Sequence, residues 1–288
     1  MEDKMPVKFM NNAKYIFIIL FCCSFSLIFS SNALADNNFL WPNQAKAAVS
    51  LAYDDALDSQ LDNALPALTK YKLTGSFYLT LSAPTVKTRL IEWQALAKQG
   101  HELGNHTINH ACKGSLPGRE WVTPENDLDN KTVDLLIAEV AEANRLLHAI
   151  DGESIRTFTV PCADTDIGGV NYVEQVNSLF VGIKYSVGDI VTTMADFNVL
   201  KTPVWSPTNV SGNELIAYVE QAKKHGTVAN ITFHGIGGDY LSVSTQSHEQ
   251  LLNYLDKNRD SYWVDTFKHI SSYITQQKLK TYEFKSVK

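Results

Sequence analysis

The sequence predicts an α/β fold in which strands and helices alternate within one domain, arranged as a mostly parallel sheet or a β/α barrel. Three observations carry this reading. Short apolar runs and longer amphipathic runs succeed one another from residue 47 to the C-terminal end. No low-complexity linker, repeat or long charge block interrupts residues 36–288, so about 250 residues form a single unit. The least ordinary polar residues stand directly after apolar runs, at what would be the C-terminal ends of strands, where sites gather in such folds.

The elements follow in order. "AAVSLAY" (Ala47 to Tyr53) is a bounded apolar run that reads as a buried strand, and it ends at Asp54 and Asp55. "SQLDNALPALTKYKL" places Leu61, Leu65 and Leu68 at helical spacing, and "GSFYLTL" is a second strand. "TVKTRLIEWQALAKQG" reads as one helix with Gly100 as its C-terminal cap. "HELGNH" is a short strand that runs into His106 and His110. "TVDLLIAEVAEANRLLHAIDG" is a long amphipathic helix closed at Gly152, and "IRTFTVP" is a strand ahead of Pro161 and Cys162. Helix "VNYVEQVNSLF", strand "VGIKYSV" and helix "GNELIAYVEQAKKHG" come next. The strand "TVANITFHG" ends at His234. A helix "SHEQLLNYLDKNRD", which Ser247 would cap, a short strand "YWVDT" and a last helix complete the chain.

A net charge of −6, a pI of about 5.7 and scattered Lys and Arg argue against a nucleic-acid or anionic-membrane surface. Lys4, Lys8 and Lys14 precede or open a mostly apolar run from Tyr15 to Phe29, and small residues follow at Ala33 and Ala35. This pattern predicts an export signal over residues 1–35, cleaved after Ala35. The mature chain, 36–288, would be periplasmic or secreted, with no stable membrane association. The alternative is an uncleaved anchor, for which the run is short against a span of roughly 20 residues. Cleavage would remove Cys22 and Cys23 and leave Cys112 and Cys162. In an exported protein such a pair tends to oxidise; two free thiols or thiolate metal ligands are the alternatives.

Three groups carry chemistry. The adjacent acids Asp54 and Asp55 have a bland reading, as helix N-terminal caps or solvated charges, and a functional one, in which one binds a cation and its neighbour acts as a base. His106 and His110, in "HTINH", are spaced so that both imidazoles can converge on one ion; with a carboxylate they suit Zn²⁺ or a similar first-row divalent metal. His234 is either a core histidine or a general acid.

"AYDDA", "HTINH", "FTVPC" and "ITFH", in this order, resemble the motifs of the polysaccharide deacetylase family of carbohydrate esterases, over nearly the whole mature chain. The resemblance implies a distorted (β/α) barrel with one divalent metal, zinc as a rule. It implies Asp55, His106 and His110 as ligands, and Asp54 as the base that takes a proton from the water the metal activates. His234 would be the acid for the leaving group, and the backbone N–H of Cys162 part of the oxyanion site. The substrate class would be an acetylated polysaccharide or oligosaccharide, with N-acetyl on glucosamine polymers and O-acetyl on xylan-like chains both open. A hydrolase of a non-sugar amide or imide, or a binding protein that has lost activity, are the rival readings.

Against the family pattern, Ala56 replaces a glycine and Thr159 an arginine that orients the base, while Arg156 stands too early on its strand to reach Asp54. Thr232 replaces a pocket leucine, and no Asp–Trp motif is recognisable; Trp205 would line the pocket instead. With the third and fourth strands adjacent, Cys112 and Cys162 would bridge two site loops. "HGIGGDYLSVSTQSHEQLL" would be a substrate loop in which Asp239 and Tyr240 touch sugar and His248 is structural. Trp121 would be either a stacking platform or core.

Overall fold

The computed structural model describes residues 39–188, 190–195 and 197–286. The expected signal segment, residues 1–35, lies outside them. Eight strands form one parallel sheet: β1 (Ala47–Asp54), β2 (Ser76–Leu79), β3 (Glu102–Asn105), β4 (Thr157–Thr159), β7 (Gly182–Val187), β8 (Thr202–Val204), β9 (Val228–Phe233) and β10 (Tyr262–Val264). β5 (Asp166–Ile167) and β6 (Val170–Asn171) make a small antiparallel ribbon above β4 in sequence. β1 carries β9 along one edge and, along the other, β10 beside Ala47–Val49 and β2 beside Ala52–Asp54. The sheet continues through β3, β4, β7 and β8. It closes where Trp205 N–H donates to Asn230 O at 3.1 Å and Thr232 N–H donates to Trp205 O at 2.9 Å. The result is a nearly closed (β/α) barrel.

β1 is the central strand of the barrel and is buried on both faces: all eight of its residues are buried. Val49, Leu51 and Tyr53 enter the main core between sheet and helices, while Ser50, Ala52 and Asp54 alternate to the barrel interior. The helices wrap outside: α1 (Leu65–Tyr71), α2 (Pro84–Thr88), α3 (Leu90–Lys98), α4 (Val133–Asp151), α5 (Tyr172–Val176), α6 (Gly212–His225), α7 (Thr245–Lys257) and α8 (Phe267–Ser286). α4 starts at the Thr132 cap and stops at left-handed Gly152; α6 has a Ser211–Glu214 capping box and stops at Gly226.

Three expectations are corrected, and one strand, β8, is added that the sequence reading did not include. The run after Ser82 is not one helix: Arg89, at φ −122°, separates α2 from α3 and spends its guanidinium on Asp58, Asp62 and Glu92. Ser244, not Ser247, caps α7, because its hydroxyl accepts from Ser247 N–H. Three residues of "KTPVW" form β8, too short a run to show alternation. Trp205 does not line the pocket; it turns outward and packs on Tyr218, with ring centroids 4.8 Å apart.

The seam between β3 and β4 is thin, with a single register pair, Asn105 and Phe158. β3 itself packs tightly: a Cβ on Gly104 would lie 2.3 Å from the Tyr78 ring.

Two buried histidines are held neutral by burial: His101 is pushed down to about 4 and His248, paired with Tyr53 Oη at 2.7 Å, to about 3. Both folded values lie below the unfolded one near 6.5, so the unfolded chain binds more protons in that window. The stability these two neutral histidines contribute is therefore complete above about pH 6.5. It should fall by about 1.4 kcal/mol per pH unit for each histidine as pH drops towards 4. Denaturant midpoints at pH 7, 6, 5 and 4 measure this, and His248→Gln should flatten the slope.

Candidate metal centre and active site

The site sits at the C-terminal ends of the strands, around a cavity of about 690 Å³. Asp54 ends β1, and Asp55 follows with φ +80°, its N–H still donating to Tyr78 O at 3.0 Å. That left-handed turn gives neighbouring acids different surroundings. Gln60 Nε2 clips the ends of β1 and β9 together by donating to Asp54 O at 2.5 Å and to His234 O at 3.2 Å.

His106 leaves β3 and His110 follows after a loop, not a helical turn, in which Thr107 has φ +63° and His110 φ +54°. Both Nε2 atoms lie 3.2 Å from the same oxygen, Asp55 Oδ1. Neither is aligned for a hydrogen bond to it, and Asp55 Oδ1 is buried. His106 Nδ1 donates to Thr159 O at 2.7 Å, which fixes the ring so that Nε2 faces Asp55. One oxygen and two nitrogens, all within 4.8 Å of one another, form a donor set that fits a first-row divalent ion. The structure thus brings Asp55, His106 and His110 together as expected.

Asp54 is buried, with Oδ2 3.9 Å from His106 Nε2. Burial raises its pKa, against the positive influence of His106, His234 and Lys184. Burial also works against the Asp55 carboxylate, yet the two imidazoles beside it hold it well below the usual range. His106 pays for burial too, but Asp54 and Asp55 lift it to about 9. His234 reaches the site from the end of β9, its Nε2 3.8 Å from Asp55 Oδ2.

Cys162 lies in a turn after β4, at φ +56°, and lines the cavity; among the described residues no acceptor takes its backbone N–H. Its sulfur is bonded to that of Cys112, with Cα atoms 5.9 Å apart. The bridge crosses the thin β3–β4 seam, as does the pair of Lys113 with Asp166 at 2.8 Å. Eight of the twelve left-handed non-glycine residues described (Asp55, Ala56, Thr107, His110, Cys162, Ala163, Asp239 and Leu241) lie in the loops of this site.

Sequence reasoning missed the side chain that faces Asp54 from across the lumen. Lys184, on β7, is fully buried; its ammonium lies 4.9 Å from the Tyr78 ring and 4.6 Å from that of Phe267, and bonds Ser50 Oγ at 3.4 Å. Burial lowers it to about 8, with Asp54 and Glu102 opposing. The only signal was a lysine between Ile183 and Tyr185 in an apolar run. Arg156 is indeed spent elsewhere, on Asp151 at 2.5 Å. Trp121 is exposed at the cavity mouth, and His248 is buried away from the chemistry.

The model of the polysaccharide deacetylase family matches residues 42–178, a span holding Asp54, Asp55, His106, His110 and both bridged cysteines. Over that span the chain is similar to a polysaccharide deacetylase domain. Its fold is similar to a structure from Mycobacterium smegmatis described as a polysaccharide deacetylase, with a TM-score of 0.57, 12% identity, and 83% of this chain and 93% of that one covered. It is similar also to a family 4 acetyl xylan esterase from Clostridium thermocellum solved with a cobalt ion, with a TM-score of 0.52, 16% identity, and coverage of 78% and 90%. A gellan lyase from Bacillus sp. is 24% identical over 259 residues, 83% of this chain. The chain spans about a tenth of that relative's length.

The denatured, unreduced protein should show no free thiol from Cys112 or Cys162 in a thiol-reagent titration. Opening the bridge, which closes a sequence separation of 50, as Cys162→Ser should lower unfolding stability by about 4 kcal/mol, read from denaturant curves.

Proposed function

We propose that the protein is an exported, metal-dependent hydrolase that removes acetyl groups from a polysaccharide or oligosaccharide. The observation that carries this is the single oxygen, Asp55 Oδ1, set 3.2 Å from two imidazole nitrogens beside a second buried carboxylate. Asp55, His106 and His110 would hold the ion, most simply zinc given two nitrogens and one oxygen. When bound, such an ion supplies Lewis-acid activation of a water and of the acetyl carbonyl. Asp54 is the base: it faces the centre, accepts the water's proton, and has a buried carboxylate whose raised pKa suits that task. His234 approaches from β9 and holds the proton for the departing amine or alkoxide. The Cys162 N–H, pointing from a strained turn that the disulfide anchors, donates to the oxyanion.

The domain's family and the gellan lyase likeness both favour a polysaccharide substrate. The esterase carrying cobalt supports a divalent ion in this fold. Among the described residues, no helix is long and apolar enough to cross a membrane, and a disulfide suits an oxidising compartment, in line with the export signal read at residues 1–35.

Acetate release from a panel of N- and O-acetylated glycans, with chelator and then zinc restored, tests the reading; activity indifferent to both would sink it. Asp54→Asn should keep zinc within about threefold in equilibrium dialysis while turnover falls roughly 10²–10⁴-fold. His106→Ala should lose zinc and turnover together, and His234→Ala should keep zinc with turnover reduced by about 10²-fold.

A further inference from the structure

The loop between β9 and α7 delivers one side chain into the metal centre. Tyr240 Oη donates to Asp55 Oδ2 at 2.9 Å, the oxygen turned away from His106 and His110. Its ring is half exposed and lies 6.4 Å from that of His234. It lines both the main cavity and an adjoining one of about 430 Å³ on the other side of His110, so it forms part of the wall between them.

Its placement is over-determined. Asp239 and Leu241, its two neighbours, are both left-handed, at φ +59° and +47°. Asp239 Oδ2 accepts from Ser59 N–H at 2.9 Å, which ties the loop to the turn after β1. Tyr240 O accepts from Gly235 N–H at 3.1 Å, and Val243 N–H donates to Gly235 O at 3.0 Å. Gly235 can carry no side chain there, because a Cβ would lie 2.0 Å from Gly238 O. Backbone strain on both sides of a half-exposed tyrosine persists only where surrounding contacts hold it, and here they aim the hydroxyl at one carboxylate oxygen.

We infer that Tyr240 is a positioning residue for the ion site, whose hydroxyl fixes Asp55 so that Oδ1 faces the two imidazoles. The inference rests on the proposed metal-dependent reading, with Asp55 as a ligand. A carboxylate has two oxygens and can rotate; a donor on the outer oxygen restricts that rotation and leaves the inner one for the ion. Partners of this kind are worth 10- to 100-fold in metal affinity. The hydroxyl thus serves the ion while the ring faces the cavity and the bound glycan.

Tyr240→Phe keeps the ring and removes only the donor, at a half-exposed position where folding is not at stake. Zinc affinity, measured by equilibrium dialysis against a competing chelator with no substrate present, should weaken at least tenfold. At saturating zinc, KM for an acetylated glycan should stay within about twofold. Tyr240→Leu should lose both zinc affinity and KM, because the ring goes as well. A Tyr240→Phe protein with zinc affinity within twofold of the unchanged protein overturns the inference. So does one whose KM rises at saturating zinc while its zinc affinity holds, since the hydroxyl would then act on substrate. Failure of the unchanged protein to bind zinc at all would instead overturn the metal-dependent reading, and this inference with it.

Discussion

The site depends on one constraint: two imidazoles from the end of β3 must meet one carboxylate from the end of β1, although β2 separates the two strands. Strand ends alone would not achieve this. Asp55 turns through a left-handed conformation, and His110 returns through another, so backbone strain on both sides is the means of convergence. Hydrogen bonds to neighbouring groups hold the result: His106 on Thr159 O, His110 N–H on the Thr107 hydroxyl at 2.9 Å, Gln60 on Asp54 O. Each locks a side chain or loop that would otherwise have several rotamers, and each draws its partner from a different part of the chain or turn.

The electrostatics follow from the same crowding. Two carboxylates with almost no exposure would repel one another and pay heavily for burial were no positive charge nearby. The described residues supply imidazoles on the cavity side and a fully buried ammonium, Lys184, on the lumen side. The two acids consequently part in character. The imidazoles beside Asp55 keep it anionic and ready to meet a cation, whereas burial makes Asp54 the more basic of the two. A difference in role between adjacent identical residues thus arises from their surroundings alone.

Much of this was legible in the sequence because strand ends announce themselves. The apolar runs before Asp54, His106, Pro161 and His234 marked which residues would share one rim, and the four-residue spacing of the histidines singled out the pair that meets Asp55. Pairing of Cys112 with Cys162 followed once neighbouring strands were assumed, and the bond is present. What stayed hidden has a physical reason in each case. β8 is three residues long and gives no periodic signal. Arg89 breaks a helix through tertiary ion pairs that no local propensity records. Lys184 reads as an ordinary strand lysine unless the barrel's closure is known, and Tyr240 as a loop aromatic unless the fold back onto Asp55 is known.

The barrel divides unevenly at its two weakest joints, the single β3–β4 pair and the Trp205 bridge to β9. One arc, β9–β1–β2–β3, bears every side chain assigned to the ion and to proton transfer. The other, β4–β7–β8, contributes cavity wall through Thr159, Val160, Tyr185, Val204 and Ser206. The second arc is not inert, since Thr159 O holds His106 and Lys184 faces Asp54, but among the described residues its other wall side chains touch none of these groups. Substitutions at Tyr185, Val204 or Ser206 would reshape the cavity while leaving in place the three side chains that meet at Asp55 Oδ1.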